Sequence, residues 1–181
     1  MLRKAVYWPS AGVAKYREFE ETRQLKDDEV LVKNHYSLIS QGTEHVWLVN
    51  DKAHNIIGTT FPFIPGYSAA GVIEKVGSRV KGFKPGDRVI GNPFYGAHSN
   101  YVFIPQDRLL HHVPDNVSLD DALFAYLGMT SFFTLSKLGL ILGQSIAIVG
   151  CGVIGQIAIQ ASKAAGLHPI VALDVKEDRL Q

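Results

Sequence analysis

Cysteine is nearly absent: Cys151 stands alone among 181 residues. An internal disulfide framework is excluded, as is any zinc site built from several thiolates of this chain. That usage fits a reducing, cytoplasmic setting. Charge of one sign is lacking too, because 18 basic and 17 acidic side chains are interspersed and leave a formal charge of +1. Neither nucleic acid nor an acidic membrane surface is expected as a partner. The opening segment MLRKAVYWPS has no long apolar core and no small-residue cleavage site, so no secretory signal is read there. No internal repeat or low-complexity segment interrupts the chain. The longest uncharged run, residues 138–162, covers 25 positions, the length of a membrane span. Five glycines and three glutamines break it, and burial on a sheet accounts for its apolarity, so no membrane span is expected.

What is present, 46% apolar and 10% aromatic residues, suffices for one good core and part of a second. The most informative stretch is SIAIVGCGVIGQIAIQASKAAGLHPIVALD, residues 145–174. Its IAIVG run reads as a short parallel strand buried on both faces. Gly150, Gly152 and Gly155 then form G-x-G-x-x-G. The first glycine permits the tight turn, the second lets the backbone approach a pyrophosphate, and the third lets helix pack closely on strand. The helix opens at Val153 and Ile154, where unpaired N–H groups favour an anion, and Gly166 is its natural stop. A second strand ends in Asp174, 19 residues after Gly155. A spacing of roughly 20 lets a carboxylate reach the ribose hydroxyls. This favours NAD over NADP, although Lys176 and Arg179 keep a 2′-phosphate open. Cys151 fills a variable position of the turn where a small residue suffices; a reactive thiol near the helix N-terminus is the alternative.

The first 115 or so residues read as short β-rich runs separated by Gly, Pro, Asn and Asp. The candidate strands are KAVYW, VAKYREF, EVLVKNHYSLI, AAGVIEKVG, DRVIG and SNYVFIP. After Val117 the period changes. Ser118 followed by Asp121 resembles a capping box, and LDDALFAYLGMTSFFTLSKLG reads as one helix or two with a break near Gly128. The expected organisation is a β domain over residues 1–117, a helical junction over 118–144 and the beginning of a nucleotide domain over 145–181.

These residues resemble the medium-chain dehydrogenase/reductase superfamily, which includes zinc alcohol dehydrogenases and zinc-free quinone reductases. PGYSAAGVIEKVGSRVKGFKPGDRVIG, residues 65–91, looks like the signature of its first domain, and VPDNVSLDDALFAYLGMTSF looks like its domain junction. The resemblance implies an α/β and β architecture: a GroES-like, partly open β-barrel followed by the first βαβ unit of a Rossmann doubly wound parallel sheet. It also implies a metal-free branch. Where zinc-dependent members carry Cys-Gly-Thr/Ser-Asp, this chain has Gln41-Gly42-Thr43-Glu44; where they carry Gly-His-Glu, it has Gly66-Tyr67-Ser68. The third ligand position falls near Ala125 or Tyr126, and the four-cysteine structural lobe is missing. The pairing of S-x-G-T-E with G-Y-S is similar to bacteriochlorophyllide dehydrogenase-like and sugar-associated oxidoreductases. An unorthodox metal site from Glu44, His45 and His98 is disfavoured, because neighbours on a strand point to opposite faces.

Hydride transfer belongs to the nicotinamide, so the protein must position a small-molecule substrate and manage one proton. By the resemblance, Thr43 matches the family's proton-relay hydroxyl; a β-edge or turn hydroxyl is the alternative. Tyr67 could donate to a carbonyl or alkoxide from the former ligand position, or fill vacated volume. Glu44 could relay a proton or pair with Arg or Lys. Gln41 could bond substrate. His45 stands one position before the family's relay histidine, now Val46. The expected function is zinc-independent NAD(H)-dependent oxidoreduction of an alcohol/carbonyl pair. The alternatives are a zinc-free NADPH quinone or enoyl reductase and a non-catalytic dinucleotide-binding protein. Because a doubly wound domain needs strands three to six, a fragment of a longer, homo-oligomeric protein is expected, inactive alone.

Overall fold

The computed structural model describes residues 1–55 and 57–180 and divides into two compact units, Met1–Leu123 and Phe124–Gln181. In the first, strands β1 (Leu2–Ser10) and β2 (Val13–Glu20) pair as an antiparallel hairpin closed by residues 11 and 12. Strand β3 (Glu29–Ser37) leads into helix α1 (Gln41–Val49), and β4 (Ala69–Val76), β5 (Arg88–Gly91), β6 (Tyr101–Pro105) and β7 (His111–His112) follow. These strands make one antiparallel sheet in the order β6-β3-β4-β5-β7. Its core is β-branched: Val30, Val32, Ile73, Val89, Val102 and Ile104 are all at most 1% exposed. Such side chains fit a pleated surface, and their burial is the main stabilising force of this unit. Bridges Ala5↔Ser99 and Trp8↔Phe63 fasten β1 to this body. The six strands read from β-rich runs between turn residues are present. Strand β7 is additional, since two exposed histidines carry no apolar pattern.

Helix α2 (Leu119–Ala122) ends this unit, and Ser118 caps it: its Oγ accepts the Asp121 N–H at 3.2 Å and donates to Asp121 Oδ2 at 2.8 Å.

The second unit begins with α3 (Phe124–Lys137), continues through β8 (Ile146–Val149), α4 (Val153–Ala164) and β9 (Ile170–Leu173), and closes with a 3₁₀ turn, Glu177–Arg179. The helical break expected near Gly128 falls instead at Leu123. Gly128 lies inside α3, where its bare backbone faces Ile157 of α4; packing between the helices outweighs glycine's poor helix propensity. Ser131 Oγ donates to the Ile154 carbonyl at 2.8 Å and joins the same two helices. Strands β8 and β9 run parallel, Ile146 opposite Ile170 and Val149 opposite Leu173. Sequence reading expected β8 to be buried on both faces. It is half-buried at Ile146 and Ile148 but exposed at Ala147 and Val149, because among the described residues α4 covers one face only.

Candidate functional site

In the nucleotide half, Gly150 has φ +93°, and a Cβ added at Gly155 would collide with the Gly150 carbonyl oxygen. The third glycine of the motif is thereby required by backbone contact. Gly152 caps α4 and faces open space, so backbone N–H groups at Val153 and Ile154 begin a twelve-residue helix whose N-terminus suits an anion. Asp174 lies immediately after β9. Its Oδ2 accepts the Cys151 N–H at 2.7 Å and its Oδ1 accepts the Lys176 N–H at 2.9 Å, while Arg179 Nη1 stands 3.6 Å from Oδ2. The Cys151 and Lys176 main-chain donors, in that order, hold the carboxyl below its ordinary range; desolvation opposes them, and Arg179 adds a lesser lowering. An ionised carboxylate offers about four lone-pair sites, so acceptor capacity remains after these bonds. Cys151 is buried, with its thiol 3.6 Å from the Leu173 carbonyl, which suits the small-residue reading of that position.

In the first unit, Gln41, Thr43, Glu44 and His45 all lie on α1. The strand geometry assumed for Glu44 and His45 does not apply. The reason is local: the Ser40 N–H donates to Glu44 Oε1 at 2.9 Å and the Glu44 N–H donates to the Ser40 carbonyl at 2.9 Å, which turns the chain into a helix straight after β3. Thr43 is exposed in the first helical turn rather than at a β-edge. Gln41 and His45 are also largely exposed, and with Glu44 and His98 they line a cavity of about 480 Å³ that Val6, Trp8 and Leu48 close on its apolar side. Tyr67 is 8% exposed and meets Trp47 edge to face at 5.5 Å; Trp47 in turn meets Tyr95 at 6.0 Å.

Among the described residues Glu44 pairs with a histidine rather than with Arg or Lys. Its Oε2 lies 2.7 Å from Nε2 of His98, and His98 Nδ1 lies 2.8 Å from Ser37 Oγ. Glu44 and His98 are both buried. A Cβ at Gly66, whose φ is +92°, would meet the His98 ring and main-chain N within 2.8 Å, so Gly66 makes room for the imidazole. Sequence reading placed His98 only in a discarded metal site and missed Ser37. The signal was thin, because 54 residues separate His98 from Glu44. Among the described residues no cluster of three His, Cys, Asp or Glu could hold a metal, and no helix is long and apolar enough to cross a membrane.

The glycine-turn β-α-β unit that follows the antiparallel β unit has the form of the first part of a doubly wound dinucleotide-binding sheet. Residues 26–115 match the alcohol dehydrogenase GroES-like domain. The chain is 27% identical over 160 residues to (R,R)-butanediol dehydrogenase of Bacillus subtilis, covering 75% of this chain and 46% of that protein. It is 33% identical over 149 residues to an alcohol dehydrogenase of Geobacillus stearothermophilus, covering 66% and 44%. The crystal structure of a Pseudomonas syringae quinone oxidoreductase superposes with a TM-score of 0.83 at 25% identity, covering 99% of this chain and 55% of that one. The chain belongs to the medium-chain dehydrogenase/reductase superfamily, with a GroES-like unit and the start of a Rossmann sheet. It spans about half the length of the curated relatives it matches.

Proposed function

We propose that this chain carries the substrate-side domain and the dinucleotide turn of an NAD(H)-dependent oxidoreductase that exchanges hydride with an alcohol/carbonyl pair without catalytic zinc. The observation that carries the cofactor reading is the Asp174 carboxylate, held ionised beside the turn by the Cys151 and Lys176 N–H groups. A ribose diol can donate to it, whereas a 2′-phosphate meets its charge. Gly150, Gly152, Val153, Ile154 and Gly155 would cradle the pyrophosphate, and the bound cofactor would supply the hydride chemistry. The donor set at the family's metal positions does not fit zinc. Gln41 offers an exposed amide and Tyr67 a phenol packed on Trp47, neither an ordinary zinc ligand. Tyr67 and Thr43 are instead the hydroxyl groups assigned to polarise the substrate oxygen, with Gln41, Glu44 and His45 lining the neighbouring cavity.

Titration of the chain with NADH and NADPH tests the cofactor. NADH binds more tightly, and Asp174→Ala weakens it about tenfold or more, as expected for hydrogen bonds to a charged group. Much tighter NADPH binding would instead favour a quinone or enoyl reductase, the reading that the missing zinc ligands also support. In the holoenzyme, Tyr67→Phe lowers turnover by about a hundredfold, the scale of one lost oxyanion donor. Unchanged turnover in Tyr67→Phe, in Thr43→Ala and in the double variant removes both residues from the chemistry. NADH binding without turnover across alcohols, aldehydes, quinones and enones leaves a non-catalytic dinucleotide-binding protein.

A further inference from the structure

Beside the β1–β2 hairpin lie two cavities, one of about 480 Å³ and one of about 430 Å³, and Val6, Ile39 and His98 line both. Their walls run in the same order. Lys4, Val6 and Trp8 alternate onto one face of β1: Lys4 lines the smaller cavity, Val6 both, and Trp8 the larger. On β2, Tyr16 and Ala14 follow that order, and on the facing wall so do Ser37, Ile39 and Gln41. Three chain segments that agree in direction make the two cavities one groove. It extends about 14 Å from Lys4 to Trp8, at about 3.4 Å per strand residue.

The groove is graded in polarity. At the Trp8 end, Ala14, Leu48 and Pro65 add apolar surface. The acid there, Glu44, is buried with both oxygens taken, Oε1 by the Ser40 N–H and Oε2 by His98. At the other end stand Lys4 and His35, and among the described residues lining that end none is acidic. Lys4 Nζ meets Glu18 at 3.5 Å, but both side chains are nearly half exposed, so that pair competes weakly with a second carboxylate. Ile39 in the middle is 65% exposed, apolar surface that an apolar chain would remove from water. The groove also lies apart from the hydroxyls assigned to the substrate oxygen. Gln41, Glu44, His45 and Leu48 have the i, i+3, i+4, i+7 spacing of one face of α1. Thr43 and Trp47 fall on another face, Trp47 against Tyr67, and none of these three lines either cavity.

We propose that this groove binds a linear acyl chain with a carboxylate head, a free fatty acid. The carboxylate sits at Lys4 and His35, and the chain passes Val6 and Ile39 to end against Trp8 and Leu48. A compact apolar ligand fills one cavity only, whereas a chain follows both. A neutral head leaves unused the cationic end of the groove, where an anion is the complementary group. No bond forms or breaks on binding. The site lies within the first unit, requires no nicotinamide and does not rest on the oxidoreductase reading.

Isothermal titration calorimetry of the 181-residue chain with hexanoate, octanoate and decanoate tests the groove. Each added pair of methylenes tightens binding about tenfold, the scale of burying their surface. Decanoate binds more tightly than decanol, and Lys4→Gln weakens decanoate about threefold, the scale of one exposed charge pair, while decanol is unaffected. Ile39→Asp, at an exposed position midway along the groove, weakens decanoate about tenfold or more, because the chain would cover an unpaired charge. Decanoate brominated at its terminal carbon quenches Trp8, so quenching persists in Trp47→Phe and disappears in Trp8→Phe. Four results overturn the proposal: affinity indifferent to chain length, decanol bound as tightly as decanoate, Ile39→Asp without effect, or quenching that reports Trp47 alone. The chain-length series is read in the unaltered protein and does not depend on a variant folding. NADH titration of the same samples is independent: its failure counts against the oxidoreductase reading and leaves this groove standing.

Discussion

Asp174 bonds to a main-chain N–H on either side of it in the fold, one in the glycine turn and one just beyond the strand. Its carboxyl is lower in the folded chain than its ordinary value. A group lowered in this way contributes stability above the unfolded value of about 4, and that contribution is lost as pH falls through the folded value. The second unit therefore loses thermal stability on acidification below about pH 4, and Asp174→Asn flattens that acid limb. Melting curves recorded by circular dichroism across the acid range check this; identical acid limbs for the two proteins would remove Asp174 from the linkage. At this scale the sequence was legible where backbone geometry follows spacing along the chain, as for the turn at Gly150 and the close approach at Gly155. It was not legible for Glu44 and His98, whose contact depends on how α1 leaves β3 and on the space left by Gly66.

The elements themselves rest on local rules that single substitutions can break. Helix α4 can approach β8 only because Gly155 has no side chain facing the Gly150 carbonyl. Gly155→Ala forces strand and helix apart at a cost of about 1–3 kcal/mol, the range for overpacking, and lowers NADH affinity at the same time. Urea unfolding and cofactor titration report the two effects; an unchanged midpoint would contradict the close approach. Ser118→Ala removes the α2 cap and costs about 1 kcal/mol by the same unfolding measurement. Strands of the first unit were legible from β-rich runs bounded by turn residues: burial alternates along β5 and β6, while β3 and β4 open on continuous buried runs at residues 30–32 and 69–71. Helix α1 was not. Its SQGTEHVWLV segment mixes glycine and β-branched residues, and the Ser40–Glu44 contacts that open the helix are not announced by any capping pattern in the sequence. The break at Leu123 was misplaced to Gly128 because packing against α4 keeps that glycine inside α3.

For the molecule as a whole, the two units have different surfaces. The first gathers Val30, Val32, Ile73, Val89, Val102 and Ile104 into a core and leaves Leu2, Ile39 and Phe94 exposed as scattered residues. The second leaves Val149, Val171 and Leu173 on the uncovered face of β8 and β9 at 81%, 46% and 49% exposure, with Phe132 and Phe133 of α3 at 60% and 64%. Contiguous apolar surface beside an unpaired strand edge favours association, and a formal charge of +1 supplies little repulsion against it. The 181-residue chain is therefore expected to self-associate as its concentration rises. Val149→Lys with Leu173→Lys places two charges on that face and shifts the population toward monomer, while Phe132→Lys tests α3 separately. Light scattering coupled to size exclusion reads the mass directly. A chain that stays monomeric at high concentration, or a double lysine variant that associates as strongly as the parent, would show that this face is not what brings copies together.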